Sequence, residues 1–214
     1  MKKTIVIKGY QFSYEEEAIT YDDNFSITED AAKEILTLTK SLFDSKGIKF
    51  YLAYGSLLGA IRDNGLIKGD EDVDVYSFQE EAIVENLPYF YDKGLKVVRY
   101  SPGRFLTFRK NKDSYIDVYI ARPLRRSIWS IYCYSLTQLN TPKKYFIGEK
   151  EIEFLGVKCF IPEKSEELIE FWYGKNWRTP VRGHKFYYEV KSAYYFHLIW
   201  NNHLKKYIKK MLGR

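Results

Sequence analysis

Apolar residues recur with helical spacing at Ala32, Ile35, Leu36, Leu38, Leu42 and Phe43, giving one buried side to a helix that Ser26 or Thr28 can cap and Gly47 ends. Residues 48–54 then read as a buried strand. Gly55-Ser56 breaks it before a short helical stretch, 57–62, and an Asn64-Gly65 turn. An acidic strand over 70–76 follows, and then an amphipathic helix over 79–91 closed by Gly94. Beyond it the pattern changes to short runs at 96–100, 104–110, 114–120, 128–136 and 151–160, so this part should be mostly sheet. Pro162 precedes a helix over 163–173 stopped at Gly174, and a last helix spans about 188–212. The opening residues 1–8 read as a first strand, because their apolar run is broken at Lys8 and no cleavage site follows. No repeat, low-complexity tract or linker interrupts the 214 residues, which predicts one domain over 1–214.

A hydrophobic share of 45% with 29% charged residues fits a folded chain and excludes long disorder. The 18% aromatic content, with 20 Tyr and 14 Phe, suits stacking on sugars or bases as well as ordinary core packing. A net charge of +6 favours anionic partners. The only dense basic stretch is Lys205, Lys206, Lys209, Lys210 and Arg214, which argues against nucleic acid as the ligand. On that last helix Leu204, Tyr207, Ile208 and Met211 share one side. This is the pattern of a docking helix with a solvated basic face, and it is also compatible with peripheral contact to an anionic membrane surface. No segment approaches the roughly 20 apolar residues that a spanning helix needs. Cys133 and Cys159 are far apart, and His184, His197 and His203 lack ligand spacing, so neither a zinc site nor a disulfide framework is indicated and a reducing compartment is the simpler setting.

The chemistry concentrates in Gly69-Asp70-Glu71-Asp72-Val73-Asp74-Val75-Tyr76. In a strand, Asp70, Asp72 and Asp74 would share one face while Val73 and Val75 enter the core. Three carboxylates together repel unless a cation neutralises them, and Mg²⁺ (or Mn²⁺) takes such oxygen ligands. Ile116-Asp117-Val118 offers a further acid between β-branched residues, and it would meet Asp72 and Asp74 if the two strands pair. Gly55-Ser56, where a strand gives way to a helix, is placed to receive phosphate on free backbone N–H groups. A lone D-x-D occurs on many solvated strand ends; the order of strand, Gly-Ser, helix, acidic strand and later strand acid is what points to phosphate transfer.

The residues from Tyr54-Gly55-Ser56-Leu57-Leu58-Gly59-Ala60-Ile61-Arg62-Asp63-Asn64-Gly65-Leu66-Ile67 to Asp70-Glu71-Asp72-Val73-Asp74-Val75 closely resemble the signature of the LicD family. That family includes bacterial choline-phosphate transferases and the fukutin group. A second block, Ile161-Pro162 through Leu168, Tyr173-Gly174 and Trp177 to Pro180, is similar to the family's C-terminal segment. The resemblance implies an α/β fold, a nucleotidyltransferase-like mixed sheet with flanking helices. It also implies transfer of a phospho-alcohol, such as phosphocholine or ribitol phosphate, from a CDP-linked donor to a glycan acceptor, with release of CMP. Asp72 and Asp74 match the family's metal pair, Asp70 the acid before them, and Asp117 a third acid that binds a second metal or accepts a proton. Arg62 matches the family's arginine, which pairs with the donor phosphate or braces the acidic loop. Lys68-Gly69 replaces a Pro-Trp found in many relatives, and Lys68 either reaches a phosphate or faces solvent. The family implies a cytoplasmic setting, at the inner face of the membrane if the last helix binds there, and surface-glycan (lipopolysaccharide or capsule) modification.

Arg104, Arg109, Arg122, Arg125 and Arg126 are further candidates for anion contacts, and Trp172, Tyr173 and Trp177 for a substrate wall. Two other functions remain open: attachment of a nucleotide monophosphate to a small molecule or sugar, and metal or glycan binding without turnover. The retention of all four acids argues against the last.

Overall fold

The computed structural model describes residues 1–19, 26–123, 133–136, 139–180 and 211. The chain divides into two compact units, Met1–Glu167 and Leu168–Arg214. The predicted helix over 188–212 and the histidines, together with Arg125, Arg126 and the basic cluster, lie outside the described residues except at Met211. Among the described residues no helix is long and apolar enough to cross a membrane.

The first unit opens with a hairpin, β1 (Lys2–Ile7) and β2 (Tyr10–Glu15), whose second strand the sequence pattern does not reveal. Helix α1 (Glu29–Asp44) follows, capped by Thr28, whose Oγ1 accepts from Ala31 N–H at 3.2 Å. Next come β3 (Tyr51–Leu52), α2 (Tyr54–Arg62) and β4 (Val73–Ser77). The expected single helix over 79–91 is instead two, α3 (Glu80–Glu85) and α4 (Leu87–Asp92). Asn86 leaves helical geometry between them, and Pro88 has no N–H with which to continue the ladder. Strands β5 (Lys96–Ser101), β6 (Phe105–Arg109), β7 (Tyr115–Pro123), β8 (Cys133–Leu136) and β9 (Leu139–Pro142) bear out the expected sheet-rich middle. The predicted strand over 151–160 is a hairpin, β10 (Glu149–Phe154) and β11 (Val157–Pro162), turning at Leu155 and Gly156, both with positive φ. Helix α5 covers Ser165–Tyr173.

Nine strands form one mixed sheet in the order β10-β11-β3-β4-β7-β6-β5, with β8 on β7 and β9 on β8. The central pair, β4 and β7, is parallel. On one face lies the row Val97, Phe108, Ile116 and Val73. Phe43 of α1 packs there, with ring centres 6.1 Å from Phe108, 5.1 Å from Phe90 and 6.0 Å from Phe50. Helix α1 thus covers the apolar face, and the intervening residues are directed to the other. Two expectations from the sequence are corrected. The strand of residues 48–54 is reduced to Tyr51–Leu52, and the acidic strand begins at Val73, so Asp70 and Asp72 precede it.

Candidate active site

The face opposite α1 carries one cross-strand row: Arg99 of β5, Thr107 of β6, Asp117 of β7 and Asp74 of β4. A register shift between Val97 and Arg99 sets Arg99 opposite Thr107, so a bulge in β5 turns the guanidinium onto this face. Two residues further along, Tyr51, Tyr76, Tyr119 and Phe105 form a parallel aromatic row.

Asp74 is held from α2. Gly55 N–H donates to Asp74 Oδ2 at 3.0 Å, and Asp74 N–H donates to Ser56 Oγ at 2.9 Å. Both residues read from sequence as phosphate receptors are therefore engaged with Asp74, Gly55 through its N–H and Ser56 through its hydroxyl oxygen, and Ser56 is wholly buried. Tyr54, the residue before them, has φ +35°, a conformation that costs a side-chain-bearing residue about 1–3 kcal/mol. Its hydroxyl donates to Leu136 O at 3.0 Å and its ring meets Tyr119 edge-on at 4.9 Å, contacts that hold the bend. Ser56→Ala leaves the Asp74 N–H buried without its acceptor and should cost about 1–3 kcal/mol, read by urea denaturation. An unchanged midpoint would show that the bond contributes nothing.

Asp70 closes the cluster from the turn before β4. A Cβ added at Gly55 would lie 2.8 Å from Asp70 Oδ2 and 3.2 Å from Asp74 Oδ2, so the two acids converge over Gly55 and a larger residue there would have to displace them. Asp70 Oδ2 is buried and has no hydrogen-bond partner among the described residues. Burial, then Glu71, pushes the Asp70 carboxyl up to about 6, with Arg62 opposing. Asp74 is driven well above the ordinary carboxylate range by burial and then by Asp72, Asp70 and Asp117. Asp117 is raised by burial, against which Arg99 and Thr107 act.

A carboxyl whose folded value exceeds its unfolded one stabilises the fold while protonated, and that contribution is lost as pH rises through the folded value. For Asp70 the window runs from the ordinary value, 3.8, to about 6. The metal-free protein should therefore lose heat stability from this cluster as pH rises from about 4 to about 6. Mg²⁺ should raise Tm more at neutral pH than at about pH 5, where protons compete for the same oxygens. Equal gains at both pH values in thermal melts would contradict this.

The remaining candidates lie around this cluster or away from it. Arg62 is bidentate to its neighbour Asp63, at 2.8 and 2.7 Å, and also bears on Asp70. Lys68 is exposed on the turn leading to Asp70. Arg109 pairs with Glu17 at 2.7 Å, away from the row, and Arg122 stands against Gly103. Trp172 and Trp177 are buried. Sequence reasoning missed Arg99, Thr107 and Tyr119. An arginine inside Val97-Val98-Arg99-Tyr100 was the only signal, and simple alternation does not show which face a bulge will give it.

Among the described residues no three Asp, Glu, His or Cys side chains form a ready-made metal cage. Mg²⁺ does not need one, since one or two carboxylates plus substrate phosphates usually suffice. A partnerless buried carboxylate oxygen, a second acid converging on it and mutual repulsion are the features a divalent cation would satisfy.

A profile of the LicD/FKTN/FKRP nucleotidyltransferase domain matches residues 47–164, and the chain belongs to that family. Human "Ribitol-5-phosphate transferase FKTN" is 29% identical over 161 residues, covering 71% of this chain and 34% of that protein. An uncharacterized protein of Rickettsia typhi is 26% identical over 131 residues, covering 53% of this chain and 42% of its own length. The chain thus spans about a third of the length of the fukutin it matches. Among solved structures, the lincosamide adenylyltransferase LnuA aligns with TM-score 0.43 at 12% identity, covering 63% of this chain and 82% of its own. ANT(2'')-Ia aligns with TM-score 0.48 at 13% identity, covering 74% and 79%. Both likenesses are too remote to bear on function. The fold class is a mixed α/β sheet of nucleotidyltransferase type.

Proposed function

We propose that the protein is a metal-dependent phosphotransferase that moves a phospho-alcohol, such as phosphocholine or ribitol phosphate, from a CDP-linked donor to a glycan hydroxyl and releases CMP. The observation that supports it most is the convergence of Asp70 and Asp74 over Gly55, with Asp117 beside Asp74 on the adjacent parallel strand. A family whose relatives include a ribitol-5-phosphate transferase supports the reaction class.

In this reading Asp72 and Asp74 hold Mg²⁺ or Mn²⁺, Asp70 adds its charge from the turn, and Asp117 completes the set of acids. When bound, the cation supplies charge neutralisation on the diphosphate as negative charge builds on departing CMP. Gly55 N–H keeps one Asp74 oxygen oriented, and Ser56 fixes the backbone that carries it. Lys68, exposed on its turn, meets a donor phosphate in this reading, while Arg62 braces the acidic loop through Asp63 and its field at Asp70. We place this activity in the cytoplasm, at the membrane's inner face if the basic segment 204–214 docks there, in surface-glycan synthesis.

The test is the mass of the product formed from a CDP-linked donor and a glycan acceptor. An acceptor heavier by the phospho-alcohol, with CMP released, supports the proposal. An acceptor carrying the nucleotide instead would make the protein a nucleotidyltransferase in activity as well as in fold.

A further inference from the structure

Asp117 has both oxygens engaged by fixed protein donors. Its Oδ1 accepts from the Thr107 hydroxyl and from Arg99 Nη2 at 3.3 Å; its Oδ2 accepts from Arg99 Nη2 at 3.3 Å and from the Tyr119 hydroxyl at 3.4 Å. Arg99 Nε also donates to Thr107 Oγ1 at 2.9 Å, which leaves the threonine hydroxyl hydrogen directed at Asp117. The guanidinium therefore spans Thr107 and Asp117 as one planar fork, and Phe105 stands 5.4 Å from its centre. Thr107 is wholly buried and the Asp117 side chain is 6% exposed, so this pairing is built into the sheet. The bulge in β5 is the feature that brings Arg99 to it.

Resting on the proposed metal site, we infer that Arg99 takes the place of a second metal ion: the acids bind one divalent cation, at Asp74 and Asp72, and Asp117 is a charge-balanced neighbour of that ion and not its ligand. A two-metal site sets its ions about 3.5–4 Å apart and needs carboxylate oxygens free to bridge them. At Asp117 a second ion would have to displace Arg99 and would then stand close to its guanidinium in a buried setting, where like charges repel most strongly. Arg99 is accordingly a positioning residue that acts through Asp117.

Titration of the full chain with Mn²⁺ alone, reading free ion by electron paramagnetic resonance, tests this. The wild type should bind one Mn²⁺. Asp117→Asn should keep that ion with affinity lowered by no more than about tenfold, the effect of losing a neighbouring group, whereas Asp74→Asn should lose it. Arg99→Met, with circular dichroism confirming its fold, should gain a second ion at the released carboxylate, and Arg99→Lys should remain at one. Two ions in the wild type, loss of the ion in Asp117→Asn, or a single ion in folded Arg99→Met would overturn the inference. No ion in the wild type would overturn the metal site itself, and this inference with it.

Discussion

Asp74→Asn should abolish transfer and leave the chain folded. The asparagine keeps an oxygen to accept from Gly55 N–H and a backbone N–H to donate to Ser56, so both contacts that tie β4 to α2 survive. What it loses is a charge and one ligand oxygen, and with them the grip on a cation. A drop in turnover of at least about a thousandfold is expected, equivalent to about 4 kcal/mol of transition-state stabilisation. Because burial and three neighbouring acids all oppose ionisation of Asp74, the metal-free variant should melt no lower than the metal-free wild type. Retained turnover would remove Asp74 from the chemistry. Lost turnover with a much lower Tm would mean that the residue serves chiefly the fold.

Gly59→Ala should destabilise the protein and impair the site from a distance. A Cβ there would lie 2.4 Å from Gly65 O and 3.2 Å from Ile67 N, and both are backbone atoms that cannot rotate away. Gly59 O also accepts from Asp63 N–H at 2.9 Å and Gly65 N–H at 3.3 Å, so the end of α2 and the Asn64-Gly65 turn are seated directly on each other. Relief of the clash must move the segment that leads through Lys68 to Asp70. Overpacking of this kind costs about 1–3 kcal/mol, and a shift of about 1 Å at a site can cost about a hundredfold in rate. Denaturation and single-turnover rates measured on the same sample check both. A variant with wild-type stability and rate would mean that the turn is free to yield.

The sequence exposed the site through residue order more than through any exact element. Asp74 and Asp117 were expected to meet if their strands paired, and the parallel β4 and β7 register sets them side by side. The convergence of Asp70 was also anticipated, but for a different reason: period-two alternation does not apply to it, because Asp70 precedes β4 and its Oδ2 reaches the Gly55 position from a turn. Gly55-Ser56 was legible as a strand-to-helix junction. That its groups serve Asp74 was not, because such bonds depend on how two segments 18 and 19 residues apart meet. The hairpin at Leu155-Gly156 lies inside one strand-like run in which Gly156 is the single turn signal, and the positive φ at Leu155 has no local signature. Arg99 was hidden by the bulge, which changes the face of one residue without changing composition.

The central claim is that these acids hold a divalent cation on a nucleotide diphosphate. Its most direct test is anomalous diffraction from crystals grown with Mn²⁺ and CDP. The account predicts a peak at ordinary Mn²⁺ coordination distance, about 2.2 Å by comparison with the 2.0–2.1 Å of Mg²⁺, from carboxylate oxygens of Asp72 and Asp74 and from a CDP phosphate oxygen. A peak elsewhere, or bound CDP with no metal beside those two residues, would contradict it.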